Sequence, residues 1–386
     1  MDNLKFVCPI CGNKDIYSIG YRNNQPYCRK CISFRGKEAD EIINESKDAP
    51  ISLSYRLSKE QKVLSKELVA NYKNGINSLV KAVCGSGKTE IVLGSIKYAI
   101  KHGLKVGFTC PRRDVIIELY CRFKNIFKEN KITVLYGGCT DTLDGDLICL
   151  TTHQLFRYDK YFDLLIMDEI DAFPYKGNDV LESFFHRALR GNYIMLSATP
   201  SEEFVTQFKK DGGVVLELFT RYHKHPLPVP EIITGNKVIL LFKLISLTKQ
   251  FIKHKKPVFI YTPTIDICES IFNLLHIFVK NGSYVHSKHP HRSKVIDNFK
   301  QGKYMYLVTT AVLERGVTVK DLQVIIYLAD HNIYDRYSLV QISGRVGRKK
   351  EAPEGRVVYL ARQSTIEMQK SIEDIKNSNK TLQNLL

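Results

Sequence analysis

Hydrophobic and polar positions along the chain fall into three regimes. Residues 1–40 carry turn residues and no helical period. Residues 41–55 are polar and charged, with Glu41, Asn44, Glu45, Lys47 and Asp48 leading to Pro50, the pattern of a tether or short helix. From 56 onward short apolar runs alternate with longer amphipathic segments, which predicts strand–helix units and hence parallel sheets covered by helices, an α/β fold. The first unit is Ser78–Ala82, a glycine-containing loop, and a helix from Lys88. On that helix Val92, Ile96, Ala99 and Ile100 share a face, and Gly103 stands at the expected stop. Strands are predicted at 104–109, 147–151, 163–167 and 193–196, and the pattern restarts at 257–261, 306–310, 324–328 and 357–360. The segment Lys209–Pro230 gathers Gly212-Gly213 with Pro226, Pro228 and Pro230, and the boundary between two α/β domains is placed near its end. The expected organisation is a small module at 1–40, a linker at 41–55, one domain at 56–230 and a second at 231–386.

Charge adds a partner class. Lys and Arg number 57 against 40 Asp and Glu in 386 residues, a formal +17. That excess suits an acidic polymer, with nucleic acid ahead of a membrane surface. No apolar run approaches the ~18–20 residues needed to cross a bilayer. A cysteine pair begins at Cys8, before the core of a signal peptide could form, so the expected location is cytoplasmic. The 10 cysteines are too sparse for a disulfide scaffold, and four crowd the first 31 positions.

Those four form Cys8-Pro9-Ile10-Cys11 and Cys28-Arg29-Lys30-Cys31. Two such pairs at this separation can close a tetrahedron of thiolates around a structural Zn²⁺, with two disulfides or incidental thiols as the alternative. Gly12 stands where a tight knuckle turn needs positive φ. Arg22, Arg29, Lys30, Arg35 and Lys37, interleaved with Tyr17, Tyr21 and Tyr27, form either a nucleic-acid contact or a solvated basic face.

A second cluster is Ala82-Val83-Cys84-Gly85-Ser86-Gly87-Lys88-Thr89, between a strand and a helix. Glycines let backbone amides wrap phosphates, Lys88 reaches the β and γ oxygens, and Thr89 offers a hydroxyl to Mg²⁺. ATP is therefore the expected cofactor, bound through Gly85, Ser86, Gly87, Lys88 and Thr89. Downstream, Leu164-Leu165-Ile166-Met167 delivers Asp168-Glu169-Ile170-Asp171 at a strand end. Asp168 is expected to hold the metal and Glu169 to polarise the attacking water.

From here the chain resembles the superfamily 2 helicases and translocases, through about 290 residues. Its phosphate loop is similar to the A-x-x-G-x-G-K-T form. Asp168–Asp171 resembles the D-E-x-D box, with Ile in place of the Ala of DEAD-type RNA helicases, and Ser197-Ala198-Thr199 the S-A-T motif. Leu57-Ser58 with Gln61 resembles the Q-motif, whose Gln reads the adenine edge. Gln341-Ile342-Ser343-Gly344-Arg345-Val346-Gly347-Arg348 is similar to Q-x-x-G-R-x-G-R, which makes Gln341 catalytic and Arg345 and Arg348 arginine fingers from the opposite domain. On residue chemistry alone, two arginines three apart, each preceded by Gly, can sit on one edge of a helix and complement transition-state charge, with a plain phosphate-backbone or surface role as the alternative. Thr309-Thr310 with Glu314-Arg315-Gly316-Val317 resembles motif V, implying nucleotide contact at Gly316 and nucleic-acid contact at Thr310. Pro111-Arg112-Arg113, Thr151-Thr152-His153-Gln154 and Thr262 resemble motifs Ia, Ic and IV, the track for a nucleic-acid backbone. Hydroxyls and amides at strand ends suit sequence-independent phosphate contacts.

An N-terminal four-cysteine module with two helicase-like domains resembles the ComFA family of bacterial competence ATPases. That resemblance implies two RecA-like parallel-sheet domains behind a zinc-ribbon-like module, and a single-stranded DNA translocase or helicase acting in DNA uptake during transformation. It implies ComFC and the inner-membrane uptake channel as partners, and a place at the inner face of the membrane. Rival readings are a PriA-like replication-restart helicase, an RNA helicase, and a zinc-dependent nucleic-acid-binding scaffold with an inactive motor.

Overall fold

A computed structural model of the chain describes residues 6–40, 45–83, 85–172, 174–218, 225–310, 319–349 and 351–384. Two compact units divide it, Met1–Ala82 with Gly87–Leu218 forming the first and Phe219–Leu386 the bulk of the second. The division falls inside Lys209–Pro230 but ahead of its prolines.

The first unit begins with a hairpin, β1 (Ile19–Arg22) against β2 (Gln25–Cys28). Helix α1 (Lys59–Lys73) follows, its start fixed by a capping box between Ser58 and Gln61. Then come β3 (Ser78–Ala82), α2 (Lys88–Lys101), β4 (Val106–Cys110), α3 (Arg113–Ile126), β5 (Ile132–Leu135) and β6 (Leu147–Thr151). A six-residue 3₁₀ turn, Thr152–Arg157, leads into β7 (Phe162–Asp168), α4 (Asp179–Ala188), β8 (Leu189–Ser197), α5 (Glu202–Lys210) and β9 (Val214–Leu218). Seven strands pair in the order β5-β6-β4-β7-β8-β3-β9, all parallel. Successive residues of a strand serve opposite cores: Leu79, Leu165 and Met167 pack on one face, Val80, Leu164 and Ile166 on the other. Burial on both faces is why these strands read as unbroken apolar runs.

The second unit repeats the plan with β10 (Glu231–Thr234), α6 (Lys237–Lys253), β11 (Val258–Thr262), α7 (Ile265–Phe278), β12 (Gly282–Val285) and α8 (Arg292–Lys300). It closes with β13 (Tyr306–Thr310), β14 (Gln323–Tyr327), α9 (Arg336–Ser343), β15 (Val357–Ala361) and α10 (Ile366–Asn384). Its six strands are parallel in the order β10-β15-β14-β11-β13-β12.

Every strand read from the sequence is present, within a few residues at each end. The large-sheet strands that the pattern does not reveal are β5, β9, β10 and β12, and each is an edge strand. An edge strand pairs on one side and is only partly covered, so its apolar run is interrupted, as in the half-exposed Glu231–Thr234. Residues 45–55 are neither helix nor strand. They run along the first unit, with Lys47 Nζ on Asp146 at 2.9 Å, Ser52 N–H on the Ile126 carbonyl, and Ala49 fully buried. Helix α2 ends as the sequence implies, with Gly103 at φ +70° just past its His102 cap.

Candidate nucleotide, metal and nucleic-acid sites

In a parallel sheet all strands deliver their C-terminal ends to one edge, where α/β folds place ligands. In the first unit that edge carries Ala82, Cys110, Thr151, Asp168 and Ser197. The phosphate loop leaves β3 and enters α2 through Gly87, which caps the helix at φ +83°. Gly85 stands at φ +82°. A side chain at Gly87 is disfavoured by the left-handed backbone, and an added Cβ, 2.4 Å from Gln61 Nε2, would also displace that amide. Gln61 is thus brought against the phosphate loop, its own Oε1 accepting from the Ser58 amide at 2.9 Å. Lys88 and Thr89 open α2, where the helix dipole favours an anion.

Lys88 Nζ lies 3.6 Å from Asp168 Oδ1. Burial raises the Asp168 pKa above the usual carboxylate range. Lys88 opposes the shift, and the neighbouring Glu169 and Asp171 add to it. A buried carboxylate that is held ionised only at a cost is a hard oxygen donor of the kind Mg²⁺ takes, and Thr89, the residue after Lys88, carries a second oxygen donor. Glu169 follows in a left-handed backbone, φ +59°, its amide bonded to Asp168 Oδ1 at 2.9 Å and to the Leu196 carbonyl at 3.1 Å. Its Oε2 is 3.9 Å from the Cys110 thiol. Asp171 accepts from both hydroxyls of Ser197-Ala198-Thr199, at 3.1 Å from Ser197 Oγ and 2.7 Å from Thr199 Oγ1. The D-E-x-D and S-A-T segments, predicted separately, are therefore one hydrogen-bonded unit.

A further network escapes sequence reading. Glu90, directly after Thr89, bonds Tyr55 and Arg122, and Arg122 reaches the Tyr55 hydroxyl at 2.9 Å. Burial works against the Arg122 charge, but Glu90 and Tyr55 outweigh it and hold the guanidinium more firmly protonated. The one local signal is an acidic residue in the first turn of a helix.

The predicted nucleic-acid residues gather on the same sheet edge. Pro111, Arg112 and Arg113 continue from β4 and Thr151–Gln154 from its neighbour β6, with Cys110 opposite Thr151 in register. Arg113 lies over the Tyr136 ring at 4.4 Å. Thr152 is fully buried, Gln154 Oε1 accepts from Arg157 Nε at 2.7 Å, and His153 stacks on Phe34 at 5.9 Å. Burial lowers the His153 pKa, which favours its neutral form.

In the second unit Thr262 and Thr310 are register partners at the ends of β11 and β13. Thr262 Oγ1 donates to the Thr309 carbonyl at 3.2 Å. Gly316 lies outside the described residues, as do Cys84, Glu314, Arg315 and Val317. Gln341 stands in the last turn of α9. Arg345 and Arg348 do not share a helix edge as the spacing suggested. The helix stops at Ser343, Gly344 caps it, and Gly347 turns the chain at φ +68°. Both arginines therefore project from a post-helical turn, which Arg348 Nε ties back to the Gly344 carbonyl at 3.2 Å.

The four N-terminal cysteines converge. Cys8 and Cys31 sulfurs are 3.5 Å apart, Cys11 and Cys28 3.6 Å, and all four lie within 4.8 Å of one another. A disulfide needs about 2.0 Å. Four thiolates at about 2.3 Å from one metal would stand about 3.8 Å apart, so the cluster fits a tetrahedral metal site. Burial pushes the Cys11 thiol up to about 11 and Cys31 higher still. At Cys28 burial is outweighed by the amides of Cys31 and Lys30 and by the Cys11 thiol, and the pKa falls. Gly12 adopts φ +63° in the first knuckle.

Residues 61–208 match the DEAD/DEAH box helicase model and residues 236–350 the helicase conserved C-terminal domain. The fold is similar to that of Saccharomyces cerevisiae Dbp5 bound to RNA and ADP BeF3, with a TM-score of 0.66 at 15% identity over 86% of this chain and 94% of that one. It is also similar to RecG bound to a three-way DNA junction, at a TM-score of 0.61 and 19% identity over 87% of this chain and 49% of that one. Competence protein ComFA of Bacillus subtilis is 33% identical across 98% of this chain and 87% of its own length. ComFA of Streptococcus pneumoniae is 30% identical across 97% and 91%. With two RecA-like sheets, a phosphate loop facing its acidic box and an N-terminal cysteine cluster, the chain is an ATP-dependent helicase and belongs to the ComFA family of competence proteins.

Proposed function

We propose that the chain is an ATP-driven motor that moves along single-stranded DNA and serves DNA uptake during natural transformation. The observation that carries this reading is similarity to two competence proteins over nearly the whole chain. The helicase domains supply the ATP and Mg²⁺ chemistry. Loop amides at Gly85, Ser86 and Gly87 with Lys88 bind the phosphates, and Gln61 and Gly316 complete the nucleotide contacts. Asp168 and the Thr89 hydroxyl would hold Mg²⁺, which would supply charge neutralisation at the phosphates. Glu169 accepts the proton of the attacking water. Gln341, Arg345 and Arg348 meet the charge that develops on the transferred phosphoryl group.

DNA is gripped through Pro111, Arg112, Arg113, Thr151, Thr152, His153 and Gln154 on the first unit and Thr262 and Thr310 on the second. Hydrolysis alternates that grip through the hydroxyls that join Asp171 to Ser197 and Thr199. Cys8, Cys11, Cys28 and Cys31 hold a structural Zn²⁺, and ComFC and the inner-membrane channel are the partners at the membrane. The test is ATP turnover without nucleic acid and with single-stranded DNA, duplex DNA or RNA at fixed salt. Stimulation greatest with single-stranded DNA is expected. Preference for RNA, or no stimulation at all, overturns the proposal.

A further inference from the structure

Between the cysteine cluster and the strand-end turn Thr152–Arg157 lies a set of contacts that the motor chemistry does not use. Phe34 follows Cys31 by three residues, and its amide donates to the Cys31 carbonyl at 2.9 Å. Its ring stacks on His153 at 5.9 Å, meets Phe156 at 6.0 Å and stands edge-on to Phe184 at 5.0 Å. Two residues on, Gly36 lies so close under Arg157 that an added Cβ would be 2.6 Å from its Nη1. Arg157 Nη1 donates to the Lys37 carbonyl at 2.6 Å while its Nε donates to Gln154 Oε1 at 2.7 Å. The Ala39 amide donates back to the Arg157 carbonyl at 2.8 Å. Glu38 pairs with Arg187 at 3.4 Å, and Arg187 Nη1 donates to the Phe156 carbonyl at 2.7 Å.

Arg157 is the informative member. It is only 9% exposed, and its hydrogen-bond partners among the described residues are neutral oxygens. A buried cation held by neutral acceptors is costly, and a Met or Leu would fill the same space at less expense in desolvation. What the guanidinium provides is a fork, with one arm on the module and the other on Gln154.

We infer that Phe34 and Arg157 are positioning residues through which the four-cysteine module sets the placement of His153 and Gln154, and with it the affinity for nucleic acid. The inference rests on the proposed nucleic-acid role of Thr151–Gln154. Phe34→Leu keeps apolar volume but removes the ring face, and Arg157→Lys keeps charge but cannot bridge both acceptors at once. Both should fold and retain metal. The readout is the single-stranded DNA concentration that half-saturates ATPase stimulation, measured beside unstimulated turnover and KM for ATP. Each variant should raise the half-saturating concentration about 5- to 10-fold, the scale of one lost charged hydrogen bond or aromatic pair. Unstimulated turnover and KM should stay within about twofold, because neither residue touches the nucleotide loop. In a double-variant cycle Phe34→Leu with His153→Ala should be clearly less than additive. Unchanged half-saturation in both variants, beside a wild type that is stimulated, overturns this inference alone. A wild type stimulated by no nucleic acid overturns the function on which it rests.

Discussion

The two sheets present their C-terminal edges in opposite electrostatic styles. In the first unit the edge is built from charges at a strand end: Asp168 closes β7, Glu169 and Asp171 follow it, and Lys88 meets Asp168 from the start of α2. In the second unit the register-paired strand ends are hydroxyls, Thr262 and Thr310, and the strong charges, Arg345 and Arg348, sit on a turn beyond α9. Both units bury charge, Asp168 at 8% exposure at a strand end and Arg345 at 5% on the turn. The difference lies in the backbone that carries the charge, a strand end in one unit and a Gly-punctuated turn beyond a helix in the other. The lesson is that the acidic charges are placed by a strand and its register, and the basic ones by a turn whose glycines set its course.

The sharpest way to break this comparison is Lys88→Ala. If the lysine is the charge at the phosphates, turnover should fall about 10³-fold or more while nucleic-acid affinity is nearly kept. ATPase rates equal to wild type would show that the loop is not the site. Next in size, Arg345→Ala and Arg348→Ala should each lower kcat about 10²–10³-fold with little change in ATP affinity, if the turn-borne charges act at the transition state. A matching loss of ATP binding, read by fluorescent-nucleotide titration, would place them in ground-state binding instead. Thr199→Ala removes one of the two hydroxyls on Asp171. It should cut nucleic-acid stimulation about 10-fold, the scale of one hydrogen bond to a carboxylate, and leave unstimulated turnover little changed.

The smallest effect tests burial itself. Because Asp168 has a raised pKa in the fold, its contribution to stability is present below the ordinary carboxylate pKa and is lost as pH rises through the folded value. Asp168→Asn should therefore melt higher than wild type at neutral pH without nucleotide, with the gap closing as pH falls. A thermal scan across pH in which Asp168→Asn is no more stable than wild type would contradict the cost of the buried charge.

Much of this was legible in the sequence because the chemistry is local. Gly85-Ser86-Gly87-Lys88-Thr89, the D-E-x-D box and the paired cysteines are runs of adjacent residues whose spacing is the signal. Central strands were legible because burial on both faces leaves an unbroken apolar run, and β5, β9, β10 and β12 were not because edges are half covered. Contacts across long separations leave no such trace. Lys37 and Arg157 are 120 residues apart, and Tyr55 and Arg122 are 67. Nothing in either neighbourhood announces its partner. Arg345 and Arg348 were recognised by type and misplaced by geometry, since a three-residue spacing fits a helix as well as the Gly-punctuated turn that the chain adopts.

Glu169 asks two unrelated things of one position. In the proposed mechanism its side chain serves hydrolysis, while its backbone, at φ +59°, takes a conformation that Gly or Asn adopt at less cost. Selection for turnover alone keeps glutamate there. In a lineage that kept the fold but no longer needed turnover, position 169 would drift toward Gly or Asn in preference to Ala, and that substitution would be the mark of a retired motor.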